Sequence, residues 1–113
     1  MAAWLRGQPE QDLFISVVTV GEIERGIHLQ AERNPVFAGD LRRWLDATLL
    51  HFSDRILPFR AEDARLWGSL SARLGHSGAD LMIAAQALAG NSVVVTRNVS
   101  DFTPTGARVF DPS

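Results

Sequence analysis

Ala79-Asp80-Leu81-Met82-Ile83-Ala84-Ala85-Gln86-Ala87-Leu88-Ala89-Gly90-Asn91-Ser92-Val93-Val94-Val95-Thr96 sets a helix and a strand in direct succession. The first eleven residues are mostly strong helix formers, and Gly90 suits the helix end. Ser92 to Thr96 is a short β-branched run, the pattern of a buried strand. The helix interior is apolar almost all round, so it must be covered on most sides. Asp80 stands alone at its mouth.

The same alternation extends in both directions. Upstream, Ala61 to Leu74 reads as an amphipathic helix with Ala64, Trp67, Leu70 and Leu74 inward. Gly75-His76-Ser77-Gly78 is a turn. Ile56-Leu57-Pro58-Phe59 is a short strand, and Pro58 marks an edge or a strand end. A helix from about Phe37 to Phe52 sets Leu41, Trp44, Leu45, Thr48, Leu49 and Phe52 at three- and four-residue steps. Before it, Leu13 to Val18 reads as a strand. Thr19 then opens a helix with Val20, Ile23 and Ile27 on one face, which fades near Arg33-Asn34-Pro35. Downstream, residues 97–106 read as a loop, with Phe102 folding back onto the core. Arg108-Val109-Phe110 is the last strand. Strands alternating with helices imply an α/β layered fold, a short parallel sheet flanked by helices. The ligand site of such sheets lies beyond the carboxyl ends of the strands.

Length and composition suit one domain over residues 1–113. The chain is 46% hydrophobic and 21% charged, ordinary for a globular protein. With no cysteine, disulfides, thiolate metal sites and a Cys nucleophile are excluded. Formal charge is −2, so a nucleic acid could be held only through a metal ion or a local positive patch. No apolar run is long enough to span a bilayer, and the N-terminus lacks the apolar core of a signal peptide. A soluble, cytoplasmic protein without membrane contact is the expectation.

The acids near the expected strand ends carry the chemistry. Glu22 follows the first strand. It also completes a capping box with Thr19 as N-cap, which is a purely structural role. Asp80 suits the helix dipole, yet Ser77 is available as the cap. An acid at the rim of a buried helix is also where a hard cation would be held. Asn98 and Asp101 follow the valine strand, where such residues often form Asx turns. His28, His51 and His76 have no metal-ligand spacing. His28 and His51 read as surface groups, while His76 lies in the turn before Asp80 and could approach it. No Walker or Rossmann glycine loop and no nucleophile elbow is seen. Scattered carboxylates fit Mg²⁺ or Mn²⁺ better than a transition metal.

Four stretches carry a resemblance. They are Phe14 to Ile27, which contains Gly21-Glu22-Ile23-Glu24-Arg25-Gly26; Arg55-Ile56-Leu57-Pro58-Phe59; Gly78 to Ala85; and Val95 to Phe102. With the closing Val109-Phe110-Asp111-Pro112, in this order and spacing, they resemble the PIN-domain toxins of VapBC-type toxin–antitoxin systems, including the FitB-like subgroup. The resemblance covers nearly the whole chain. It implies a PIN-like three-layer fold and a divalent-metal-dependent endoribonuclease, with Glu22 and Asp80 as metal ligands and Asp101, one loop step from the fourth acid's position, as a compensating one. Asn98 falls where the family has its fourth acid, a neutral ligand at best. Thr96 would help orient the site. The family's first strand and the Asp of its Asp-Thr-Asn motif have no counterpart here. Met1-Ala2-Ala3-Trp4-Leu5 matches the later end of the following helix. A start site assigned too late, a truncated gene, and a protein that works as it stands all remain open. The resemblance further implies an RNA substrate, a second copy of the chain, a small antitoxin, and DNA reached only through that antitoxin. Trp44, Trp67 and Phe52 could line such contacts or simply belong to the core. The alternative function is a catalytically impaired PIN remnant that only binds antitoxin.

Overall fold

The computed structural model describes residues 13–96 and 98–111. The reading of Met1–Leu5 as a helix end lies outside the described residues, as do Arg97 and the terminal Pro112. Phe14–Pro58 form one compact unit, and the described chain from Phe59 onward, with Leu13, forms the other.

In the first unit, β1 (Ile15–Ser16) pairs in parallel with β2 (Ile56–Leu57), Ile15 opposite Ile56. Between them run α1 (Val17–Gln30) and α2 (Pro35–His51). The expected strand over Leu13 to Val18 is cut short. Ser16 is extended, and its hydroxyl accepts a 3.1 Å hydrogen bond from the Val18 amide. That bond caps α1, so Val17 and Val18 are helical despite their β-branching. A single side-chain cap outweighs their weak propensity here. Asn34 is the N-cap of α2, and its Oδ1 accepts from the Phe37 amide at 3.1 Å. Pro35 then occupies the first turn, where its missing N–H costs nothing.

α1 and α2 pack through Ile27, Ala38 and Leu45, with Ile23, Leu41 and Leu49 beside them. Trp44 is not inward, contrary to the expectation from its spacing. It is 54% exposed, because it precedes Leu45 by one residue and so is rotated about 100° off the buried stripe. Phe52 is half-buried and lies under the Arg55 guanidinium, 4.5 Å from the ring centre.

The second unit begins with α3 (Ala61–Leu74) and α4 (Ala79–Ala89), which pack against each other. Both ranges match the expectation. Asp63 Oδ2 accepts from the Arg60 amide at 2.8 Å at the start of α3. Gly75 closes its end in the left-handed region, φ +80°. Leu81, Ala84 and Ala85 are fully buried, as the apolar helix requires. β3 (Val93–Val95) pairs in parallel with β4 (Arg108–Phe110), Val94 opposite Val109. The residues between them are not all loop. Val99–Phe102 form a short helix, α5, followed by a 3₁₀ turn over Thr103–Thr105. Phe102 is 3% exposed and folds onto Leu70, Ala84 and Val94, the core position expected of it. Trp67 packs against this core. One face of the β3–β4 ladder is left open, with Val93, Val95 and Phe110 exposed. No helix among the described residues is long and apolar enough to cross a membrane.

Candidate active site

The position of Glu22 follows from the cap at Ser16. Because α1 starts at Val17, Glu22 lies in the second turn and not at the third helical position. The capping box expected between Thr19 and Glu22 is therefore absent, and the structural role it offered Glu22 goes with it. The Glu22 side chain is exposed. Among the described residues it has no hydrogen-bonding or ion-pair partner.

Glu24, two residues on, is committed elsewhere. Arg42 of α2 donates to both its oxygens, at 2.6 and 3.4 Å, and His28 Nε2 lies 2.8 Å from Oε2. The Arg42 hydrogen bond holds the Glu24 carboxyl below its ordinary range. The pair ties α1 to α2 at its outer edge and occupies the carboxylate. Successive residues on a helix are about 100° apart, so Glu22 and Glu24 point to different sides. Sequence spacing did not reveal this clamp, because its partners are 18 residues apart with a turn between them.

In the second unit, Asp80 sits in the first turn of α4 and is half-buried. Ser77 does not cap this helix. Gly78 is the N-cap and supplies no side chain. The first turn thus begins on a bare glycine, with Asp80 as its only acid. Directly behind it Leu81 is wholly enclosed, so the carboxylate marks the border between core and solvent.

Asn98 and Asp101 follow β3. The Thr96 hydroxyl accepts from the Asn98 amide at 3.0 Å, and the Asn98 carbonyl accepts from the Asp101 amide at 3.1 Å. These bonds wind the chain into α5, which packs against α4. They involve the backbone of Asn98 and Asp101, while both side chains stay exposed. The Asp101 carboxylate has no partner among the described residues. An Asx turn is therefore not what holds this loop; Thr96 and the buried Phe102 do so.

The available donors are carboxylate, amide and hydroxyl oxygens, a set that suits a hard divalent cation. Magnesium is commonly held by one or two carboxylates while it keeps several waters, so the residue types at Asp80 and Asp101 suit it. Among the described residues, no three His, Asp or Glu side chains gather to form a fuller metal cage.

The sequence matches the PIN domain model over residues 1–102. It is 31% identical to the VapC ribonuclease Y4jK of Sinorhizobium fredii, across 97% of this chain and 81% of that protein. It is 30% identical to Toxin FitB of Neisseria gonorrhoeae, across 99% of this chain and 84% of the relative. The plasmid stability protein StbB of Pseudomonas syringae pv. tomato is 31% identical over 96% and 81% of the two chains. Among solved structures, FitAcB from Neisseria gonorrhoeae superposes with a TM-score of 0.81 at 30% identity, covering 98% of this chain and 83% of that one. FitAB bound to an IR36 DNA fragment gives 0.78 at 29%, covering 98% and 80%. The fold agrees with these structures, and the chain belongs to the PIN-domain family.

Proposed function

We propose that this protein is the toxin of a toxin–antitoxin pair and acts as a divalent-metal-dependent endoribonuclease. The observation that carries this reading is the 31% identity to a VapC ribonuclease and 30% to a FitB toxin over nearly the whole chain. Asp80 and Asp101 are the proposed ligands for Mg²⁺ or Mn²⁺, with Asn98 as a neutral oxygen donor and Glu22 as the further acid. The loss of the capping box at Glu22 and the unpartnered Asp101 carboxylate support those assignments. A bound ion would supply positive charge for the phosphoryl oxygens and lower the pKa of a water. The side chains of this protein supply the rest. Asp80, at the edge of an enclosed helix, would fix the ion where the core excludes solvent on one side. Thr96 holds the Asn98–Asp101 turn in place. The proposed partners are a small antitoxin and a second copy of the chain, and DNA would be met through the antitoxin. The relative bound to DNA as FitAB is consistent with such an assembly.

The test is Asp80→Ala. Mn²⁺-dependent RNA cleavage is expected to disappear while the circular dichroism spectrum is unchanged. Cleavage at the wild-type rate in that variant rejects the reading. A second reading, an antitoxin-binding remnant without activity, draws on Asn98 in place of an acid and on the lack of a three-acid cluster among the described residues. It requires that the wild-type chain cut no RNA at any Mn²⁺ concentration yet still bind its antitoxin.

A further inference from the structure

Charge is unevenly distributed along this chain. The whole protein carries a formal −2, yet residues 64–100 hold three arginines and a single carboxylate, Asp80. Two of those arginines, Arg65 and Arg73, lie on α3. Gly75 turns the chain at the end of α3, four residues cross over, and α4 packs back along α3. Arg73, in the last turn of α3, is therefore at the same end of the helix pair as Asp80 in the first turn of α4. Arg65 is eight residues earlier, about 12 Å away along the helix axis. His76 lies in the crossover. Its Nδ1 is 3.7 Å from where a Cβ on Gly78 would stand, so the ring lies close to the start of α4.

Arg73 and His76 are exposed, and neither has an ion-pair or hydrogen-bonding partner among the described residues. Arg108, by contrast, is committed to the Asn91 carbonyl at 2.6 Å. The corner thus presents an uncommitted guanidinium and an open imidazole face beside the one acid of the segment. A guanidinium binds phosphate, and an exposed aromatic ring stacks on an unpaired base. We propose that Arg73 and His76 bind single-stranded RNA at the α3–α4 corner, Arg73 on a phosphate and His76 against a base, next to Asp80. The inference rests on the nuclease reading and deepens it. It supplies the local positive patch that an acidic protein needs to hold a polyanion.

The experiment measures binding of the full chain to a short fluorescent single-stranded RNA, in EDTA so that no metal-dependent cutting occurs. KCl is varied from about 50 to 300 mM, a range that resolves the salt slope. Removing one phosphate contact lowers the slope of log K against log salt by about 0.7 for a single strand. Arg73→Ala is expected to show that change, and Arg65→Ala is not. His76→Ala is expected to weaken binding about fivefold or more, the scale of a lost stacking contact. An unchanged slope in Arg73→Ala together with unchanged affinity in His76→Ala, both with native circular dichroism, overturns the proposal. So does a wild-type chain that binds no RNA. If Asp80→Ala abolishes cleavage while those two variants bind RNA normally, only this proposal falls. If Asp80→Ala cleaves normally while the two variants lose RNA binding, the catalytic reading falls and the RNA-binding corner stands.

Discussion

Replacing Ser16 by alanine tests where α1 begins, and with it the role of Glu22. The Ser16 hydroxyl accepts from the Val18 amide at 3.1 Å. Loss of such a cap costs about 1 kcal/mol. Unfolding entropy near the midpoint is about 2.1 cal/mol/K per residue. Over 113 residues that makes about 0.24 kcal/mol/K, so the melting temperature is expected to fall by about 4 °C. Thr19→Ala should do the opposite or nothing, because Thr19 lies inside the helix, where alanine is favoured by up to about 0.7 kcal/mol. Glu22→Gln should change stability by less than about 0.5 kcal/mol, as surface substitutions do. It should nevertheless reduce Mn²⁺-dependent cleavage. Thermal denaturation followed at 222 nm, with cleavage measured on the same samples, reads all three. If Thr19→Ala and Glu22→Gln each lower the midpoint by several degrees while Ser16→Ala does not, the helix starts at Thr19. Glu22 would then be a capping residue, and the assignment of a ligand role to it would be wrong.

Further outcomes follow from other parts of the chain. Gly75→Ala should destabilise by about 1 kcal/mol, measured by urea denaturation; its φ of +80° disfavours a Cβ although nothing crowds the site. The Glu24–Arg42 pair should stabilise at neutral pH and fade in acid. The folded Glu24 carboxyl is held low, so its contribution is complete above the unfolded value and lost as pH falls through the folded one. The gap in melting temperature between wild type and Glu24→Gln should accordingly close below about pH 4. Asn98→Asp should lower the Mn²⁺ concentration needed for half-maximal cleavage, since a charged oxygen replaces a neutral one; an unchanged Mn²⁺ requirement removes position 98 from the ligand set.

Much of this architecture was legible where periodicity was long. α3 and α4 have the bounds that Ala64, Trp67, Leu70 and Leu74 and then Leu81, Ala84 and Ala85 impose. The start of α1 was not legible. Val17 and Val18 continue an apolar β-branched run, and only the hydroxyl of Ser16 turns that run into a helix. Nor was α5, whose four residues are too few to show a period. Trp44 was misplaced because three-residue steps admit positions well off the buried stripe. Of the candidate site, the residue types and their order along the chain were readable. Two features were not: the glycine cap of α4 in place of Ser77, and the uncommitted Arg73. Both depend on which polar groups find partners in three dimensions.

The two parallel ladders differ greatly in the length of chain each must close. β3 residues meet partners 15 positions later, as Val93 meets Arg108, whereas Ile15 meets Ile56 after 41. Closing the longer span costs about 0.9 kcal/mol more in chain entropy. The ladder nearer the C-terminus should therefore assemble sooner, although its strands leave the ribosome last. Residues 14–58, synthesised first, would spend longer as a pair of helices whose strands have not yet met. In pulse-labelled hydrogen exchange, the Thr96 amide, which donates to the Phe110 carbonyl, should gain protection before the Ile15 amide, which donates to the Arg55 carbonyl.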